Sequence, residues 1–397
     1  MWLPLLLLLP LLLLIIKKMQ IRKKGKLPPG PPKLPILGNL HQLGALPHRS
    51  TWKLSKKHGP IMLLQLGAIP TIVVSSAETA REVLKTHDLD CCSRPPLAGP
   101  KRLSYNFLDI GFVPYGYYWR EMRKICVAEL FSMKRVQSFQ SVREERRLES
   151  SFNEQDVFFQ KVIDDHLNSG RTMQEHEDIV NDISLAAIDT GALTMIWAMT
   201  ELARKPTVMK KAQYEIRRCV GKKGKVTDND FNQLQYLKMI IKETLRLHPP
   251  AVLLLPRETV SQIKIGNYDV YPKTRIAVNV WAIGRDPDIW KNPEEFLPER
   301  FNNNPIDFKG QHFELLPFGT ARRICPGMNM GTAVIELALA NLLYHFDWKL
   351  PSGVEIDMEE EVSITVGKRS ALKLMPINYI SEDDKTQGVA EIQFGNF

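Results

Sequence analysis

The chain has 397 residues, 44% of them hydrophobic, with 53 Lys and Arg against 44 Asp and Glu, a formal net charge of +9. That length can bury the core of one large domain or two ordinary ones. Six of the positive charges are Lys17, Lys18, Arg22, Lys23, Lys24 and Lys26, so the remainder of the chain is close to neutral and a nucleic-acid partner is not indicated.

Residues 1–16 are uncharged and almost wholly apolar, interrupted only by Pro4 and Pro10. About 20 apolar residues usually cross a bilayer, so this run is short, and it would need local thinning or snorkelling lysine stems. Its positive charge follows the apolar run, the reverse of a cleaved signal, which predicts a retained membrane anchor with the bulk of the chain in the cytosol. Residues 17–32 are a basic collar and a proline-rich stretch, Leu27-Pro28-Pro29-Gly30-Pro31-Pro32. Prolines fix φ and remove donors, so this stretch reads as an extended, stiff hinge.

Residues 33–380 form the main domain and read as mainly α with small β-sheets. The runs 61–66 and 71–75, separated by Gly67-Ala68-Ile69-Pro70, predict a hairpin, and 275–280 and 372–375 are further β-type stretches. Helical periodicity covers 77–85, 119–130, 182–203, 207–219, 234–247 and 328–346. Cys91, Cys92, Cys126, Cys219 and Cys325 are an odd set without paired spacing, which fits a reducing compartment rather than a disulfide framework. Residues 381–397 are polar and predicted to be disordered.

Cys325 stands in Leu316-Pro317-Phe318-Gly319-Thr320-Ala321-Arg322-Arg323-Ile324-Cys325-Pro326-Gly327, between an arginine-bearing loop and a helix start. Both neighbours favour a thiolate, and a thiolate under a haem iron favours cleavage of an O–O bond. A lone cysteine is otherwise a small buried hydrophobe. The remaining motifs, in chain order, are Trp119-Arg120-Glu121-Met122-Arg123, Ala186-Ala187-Ile188-Asp189-Thr190, Glu243-Thr244-Leu245-Arg246, Pro256-Arg257-Glu258-Thr259, the stretch from Trp281 to Pro287, and Pro298-Glu299-Arg300-Phe301. Alone, Glu243 and Arg246 are an ordinary i,i+3 ion pair, and Thr190 is a threonine bonded back to its own helix.

In this order the set resembles the cytochromes P-450, the haem-thiolate monooxygenases, and is closest to the plant microsomal type that makes specialised metabolites. The resemblance runs from Leu27 to about Pro376. It implies haem b, with Cys325 as the axial ligand of the iron and Phe318 packed against it. Trp119, Arg123, Arg257 and Arg323 would pair with the haem propionates, since buried carboxylates need charge-assisted donors. Glu243, Arg246 and Arg300 would form a buried structural triad. Thr190 and Asp189 would be the catalytic pair that delivers protons to bound dioxygen. The chain has no Gly-rich dinucleotide fingerprint, so electrons would come from NADPH through a flavoprotein reductase docked on a basic face of Arg120, Lys124, Lys134, Arg135 and Arg322. The endoplasmic reticulum membrane is the implied location. The substrate would be a small apolar molecule facing residues 95–107, 251–255 and 362–367.

Three departures from the family pattern stand out. Ala321 and Ala187 replace glycines, one in the cysteine loop and one in the distal helix. Only 71 residues separate Trp119 from Thr190, where the family inserts several further helices. The fold is therefore expected to lack several central helices, with seams near 145–153 and between 170 and 182. Ile183, Leu185, Ile188, Leu193, Met195, Ile196 and Trp197 would then lose packing partners. Two readings follow. One is a membrane-anchored monooxygenase acting on a small apolar substrate; the other is a noncatalytic truncated remnant or splice variant.

Overall fold

The computed structural model describes residues 25–103, 107, 109–140, 173–363 and 365–379. The expected anchor 1–16, most of the basic collar, the seam at 145–153 and the tail 381–397 lie outside them. Among the described residues no helix is long and apolar enough to cross a membrane.

β1 (Ile61–Leu66) and β2 (Ile69–Val74) form the expected hairpin, in register from Ile61↔Val74 to Leu66↔Ile69. Apolar and β-branched residues suit a pleated surface buried on one side, and Gly67 supplies the turn. Four short strands follow: β3 (Arg257–Glu258), β4 (Ile263–Ile265), β5 (Tyr268–Val270) and β6 (Arg275–Val278). The main sheet has the order β1-β2-β6-β3, with β6 parallel to β2 and antiparallel to β3. That order fixes Arg257 at a sheet edge. β4 pairs with β5, β7 (Phe346–Lys349) with β10 (Met375–Asn378), and β8 (Glu360–Val362) with β9 (Val366–Lys368). The strand expected at 372–375 begins only at Met375, where it meets Lys349.

The proline-rich stretch lies along the outer side of β1 rather than standing free. Leu63 N donates to Pro29 O at 2.8 Å, Gln65 N to the Asn39 side-chain oxygen at 2.7 Å, and Asn39 N back to Gln65 O at 2.6 Å. Gly30 allows this approach, because a Cβ there would sit 2.1 Å from Leu63 O.

The longer helices are α1 (Pro47–His58), α2 (Tyr117–Ile125), α3 (Met173–Arg204), α4 (Pro206–Val220), α5 (Gln235–Leu247) and α6 (Met328–His345). α3 begins nine residues before the start its apolar period predicts, at 182. Its first turns, Gln174-Glu175-His176-Glu177-Asp178, are polar and give no apolar stripe to read. It ends at Arg204, just before Pro206, whose ring cannot continue it. Leu202, Ile216, Leu237, Ile240, Leu339 and Leu343 from α3 to α6 are fully buried together.

That packing corrects one expectation. Trp197 keeps its partners: it is 1% exposed and stacks on His248 with ring centroids 4.0 Å apart. Met195 packs on the same core. Among the large apolar side chains described on α3, those left bare are Ile188, 66% exposed, and to a lesser degree Ile196. Ile183 and Leu185 have no described side chains.

A buried charge cluster ties the start of the domain to its end. On Glu360, Oε2 lies 2.9 Å from His48 Nε2 and accepts from Arg49 Nε at 2.7 Å, while Oε1 accepts from Trp281 Nε1 at 3.3 Å. Burial alone would raise the Glu360 carboxyl, but these donors hold it at about 2. A depressed carboxyl contributes stability that is complete above its unfolded pKa and is lost as pH falls through the folded one. A contribution of about 3 kcal/mol is therefore expected to disappear between roughly pH 4.5 and pH 2. Urea midpoints followed through that window should fall steeply in the natural chain, and Glu360→Gln should flatten this acid limb.

Candidate active site

The cysteine loop is shaped by two residues in left-handed backbone, Gly319 (φ 67°) and Ala321 (φ 57°). Between Ala321 and Arg323 the chain makes one 3-10 turn, and Cys325 N then donates to Phe318 O at 2.9 Å. Phe318 thus meets Cys325 through its backbone, while its ring packs edge-on to Phe308. Gly327 caps α6. The Cys325 side chain is exposed. Protein on its other sides pushes the thiol up, against the amides of Gly327 and Met328 and the Arg123 guanidinium, which pull it down. The counter-charge comes from Arg123 on α2 rather than from the neighbouring arginines in sequence. Arg322 is tied to Asp88 and Arg323 turns away toward Cys92 and Val113.

Ala321 occupies the conformation that glycine adopts without cost. A Cβ in left-handed backbone costs about 1–2 kcal/mol, partly offset by the greater freedom glycine has when unfolded. Ala321→Gly is expected to stabilise the chain by about 0.5–1 kcal/mol, read as a raised urea midpoint.

Beside the loop lies a buried cationic cluster. Trp119 and Arg123, four apart on α2, share one face. The Arg323 guanidinium lies 4.2 Å from the centroid of the Trp119 ring. Arg323 donates through Nε to Cys92 O at 2.9 Å and through Nη2 to Val113 O at 2.8 Å. Its Nη1 and the Trp119 Nε1 are buried donors with no hydrogen-bond partner. Arg257 is committed differently: Nη1 donates to Asp88 Oδ1 at 2.9 Å and Nη2 to Thr320 O at 3.4 Å.

Sequence reasoning missed Arg94. Its buried guanidinium donates to Gly111 O (2.9 Å), Leu255 O (2.6 Å) and Pro256 O (2.9 Å), so it binds the loop before α2 to the segment leading into Arg257. The only local signal was a basic residue followed directly by Pro95-Pro96. Burial and the like charge of Arg257 push Arg323 down to about 10, and burial with the like charge of Arg323 holds Arg94 well below the usual arginine range. Three buried guanidinia here face two buried carboxylates, Asp88 and Asp109.

An excess of buried positive charge and two orphaned donors form a site that expects an anion. An unpaired buried donor costs about 1–3 kcal/mol, and carboxylates accepting from Trp119 Nε1 and Arg323 Nη1 would remove that cost. Haem carries two such carboxylates, so the residues present fit the group that the sequence resemblance implies.

On the distal side α3 runs unbroken through Ala187 and packs against α6, which follows the cysteine loop. The Thr190 carbonyl accepts the Thr194 hydroxyl at 2.8 Å. Asp189 is exposed, and its Oδ2 accepts the Thr365 hydroxyl at 2.5 Å. All five residues of the expected basic face, Arg120, Lys124, Lys134, Arg135 and Arg322, are exposed; Arg135 bonds Glu129 at 2.8 Å, and Arg322 shares the Asp88 carboxylate with Arg257.

The structure brings Glu243, Arg246 and Arg300 together. Arg246 donates to Glu243 through Nε at 2.7 Å and Nη2 at 2.8 Å, and Arg300 Nε donates to Glu243 Oε1 at 2.9 Å. The Glu243 and Arg246 side chains are 0% exposed.

The family model described as Cytochrome P450 matches residues 28–148 and 137–374. Cytochrome P450 71B36 of Arabidopsis thaliana is 43% identical across 478 aligned positions, covering 92% of this chain and 95% of that protein. Cytochrome P450 71B37 of the same plant is 44% identical, covering 96% and 99%. Among solved structures, a zebrafish cytochrome P450 with abiraterone superposes with a TM-score of 0.72 at 21% identity, covering 85% of this chain and 100% of that one. At that identity the likeness speaks for the fold.

Proposed function

The chain belongs to the cytochrome P450 family of haem monooxygenases, and from that premise we propose that it inserts one oxygen atom of dioxygen into a small apolar substrate in plant specialised metabolism. The observation that carries this reading is the pair of buried, unpartnered donors, Trp119 Nε1 and Arg323 Nη1, in a cationic cluster beside the exposed Cys325 thiol.

Trp119, Arg123 and Arg323 would hold the propionates of haem b, and Arg257, bound to Asp88, would set the positive field beside them. Cys325 would ligate the iron, with the Gly327 and Met328 amides moderating the sulfur charge. When bound, the haem supplies the activation of dioxygen. Asp189 would take protons from solvent and Thr190 would hold them by hydrogen bond on the distal side. Apolar residues at 251–255 and 362–367 would orient the substrate. Electrons would arrive from NADPH through a flavoprotein reductase that docks on Arg120, Lys124, Lys134 and Arg135. Residues 1–16 would anchor the chain in the endoplasmic reticulum membrane.

A shortened middle near 145–182 is part of the proposal. The 478 positions aligned with the first relative exceed the 397 residues of this chain, which supports it. The reading of a noncatalytic remnant is the less favoured one, because the family match extends from residue 28 to 374 and α3 keeps a packed core. A carbon monoxide difference spectrum of the reduced full chain in membranes tests the choice. A strongly red-shifted Soret band is expected; no band, or one at the position of neutral ligation, would favour the remnant.

A further inference from the structure

We propose that Thr365 is a positioning residue for Asp189, fixing one oxygen of the carboxylate so that protons enter and leave through the other; this rests on the reading of Asp189 as the proton relay. An exposed aspartate on a helix is ordinarily free to turn between water and its own backbone. Here Asp189 Oδ2 accepts the Thr365 hydroxyl, across 176 residues of sequence. A second contact runs parallel to the first. Leu193 lies one turn along α3 from Asp189, and Gly367 lies two residues along the chain from Thr365. A Cβ on Gly367 would come within 2.8 Å of Leu193 Cδ2, so helix and strand approach closely there as well. Residues i and i+4 of a helix share a face about 6 Å apart along its axis, and Thr365 stands in the turn that leads directly into β9, the strand that carries Gly367. Asp189 and Leu193 therefore meet Thr365 and Gly367 at two neighbouring points, one on the turn and one on the strand that follows it.

The turn that presents Thr365 runs into a strand held from behind. Val366 is buried and its N donates to Pro250 O at 2.9 Å. At the base of the hairpin Glu360 is fixed by His48, Arg49 and Trp281. A hydroxyl carried on so rigid a support selects one orientation of the carboxylate it touches. Oδ2 keeps the Thr365 hydrogen bond, and Oδ1 is left to accept a proton from water and pass it on toward the Thr190 side.

Proximity is tested first, without haem. In the full chain carrying Asp189→Cys and Thr365→Cys, mild oxidation should link the two peptides by a disulfide detected by mass spectrometry. A control with Asp189→Cys and Glu361→Cys should stay unlinked. An unlinked first pair would overturn the proposal. Function is tested by the share of reduced oxygen released as hydrogen peroxide during NADPH- and reductase-driven turnover. Thr365→Val should raise that share several-fold and enlarge the solvent isotope effect, and Thr365→Ser should restore both. If Asp189→Asn moves both quantities and Thr365→Val moves neither, the positioning role fails while the relay stands. If Asp189→Asn moves neither, the relay reading fails and takes the positioning role with it.

Discussion

Cys325→Ser is expected to leave the fold intact and to abolish the red-shifted Soret band of the reduced, carbon monoxide-bound protein. Fold integrity follows from location: the side chain is exposed, and its backbone amide, not its sulfur, makes the bond to Phe318. Surface substitutions of this kind usually change stability by less than about 0.5 kcal/mol. Loss of the signature follows from chemistry. The amides of Gly327 and Met328 and the charge of Arg123 oppose the upward push of burial and favour the thiolate that a bound metal would hold, whereas a serine hydroxyl is far too weak an acid to ionise in the same place. Denaturation midpoints of the two proteins should agree while their difference spectra do not. A variant that kept the band would remove Cys325 as the iron ligand.

Arg246→Ala is expected to lower the unfolding free energy by about 3–5 kcal/mol, a large part of the stability of an ordinary domain. Arg246 makes five hydrogen bonds: two to Glu243, and one each to the carbonyls of Gly284, Pro293 and Glu295. Truncation leaves a fully buried Glu243 with only Arg300 and the Leu297 amide, removes the Arg246 donor from the Gly284 and Pro293 carbonyls, and leaves Glu295 O to Arg300 alone. Arg246→Lys should recover little, because an ammonium cannot reproduce the planar fork that spans a carboxylate and three backbone carbonyls. The measurement is the urea midpoint in the absence of added haem, so that cofactor loss is not mistaken for unfolding. A drop below about 1 kcal/mol would assign the triad no more than the value of a surface pair.

What the sequence disclosed depended on how local each arrangement is. The cysteine loop is twelve contiguous residues, and Glu243 with Arg246 are three apart on one helix, so both could be read directly. Arg300 lies 57 residues from Glu243 and entered only through the family resemblance. The Glu360 cluster was invisible: His48 and Glu360 are 312 residues apart, and neither sits in a pattern that calls for the other. Arg94 was missed for a related reason, since it binds carbonyls, which every residue carries and no motif advertises. The start of α3 was misplaced because polar helix formers leave no apolar period. Trp197, expected on a bared face, is covered by His248, a partner 51 residues further along the chain that no local pattern links to it.

The proline-rich stretch along β1 has a consequence for solubility. β1 is the outermost strand of the main sheet, and an uncovered outer strand is a template on which another chain can pair and aggregate. Residues 29–39 occupy that position, satisfying the amides of Leu63 and Gln65 and the carbonyl of Gln65. The occupant cannot extend the sheet in its turn, because Pro28, Pro29, Pro31 and Pro32 have no N–H to offer a further strand. The segment that leads from the basic collar into the domain thereby also closes the β1 edge to pairing with a second copy of the chain.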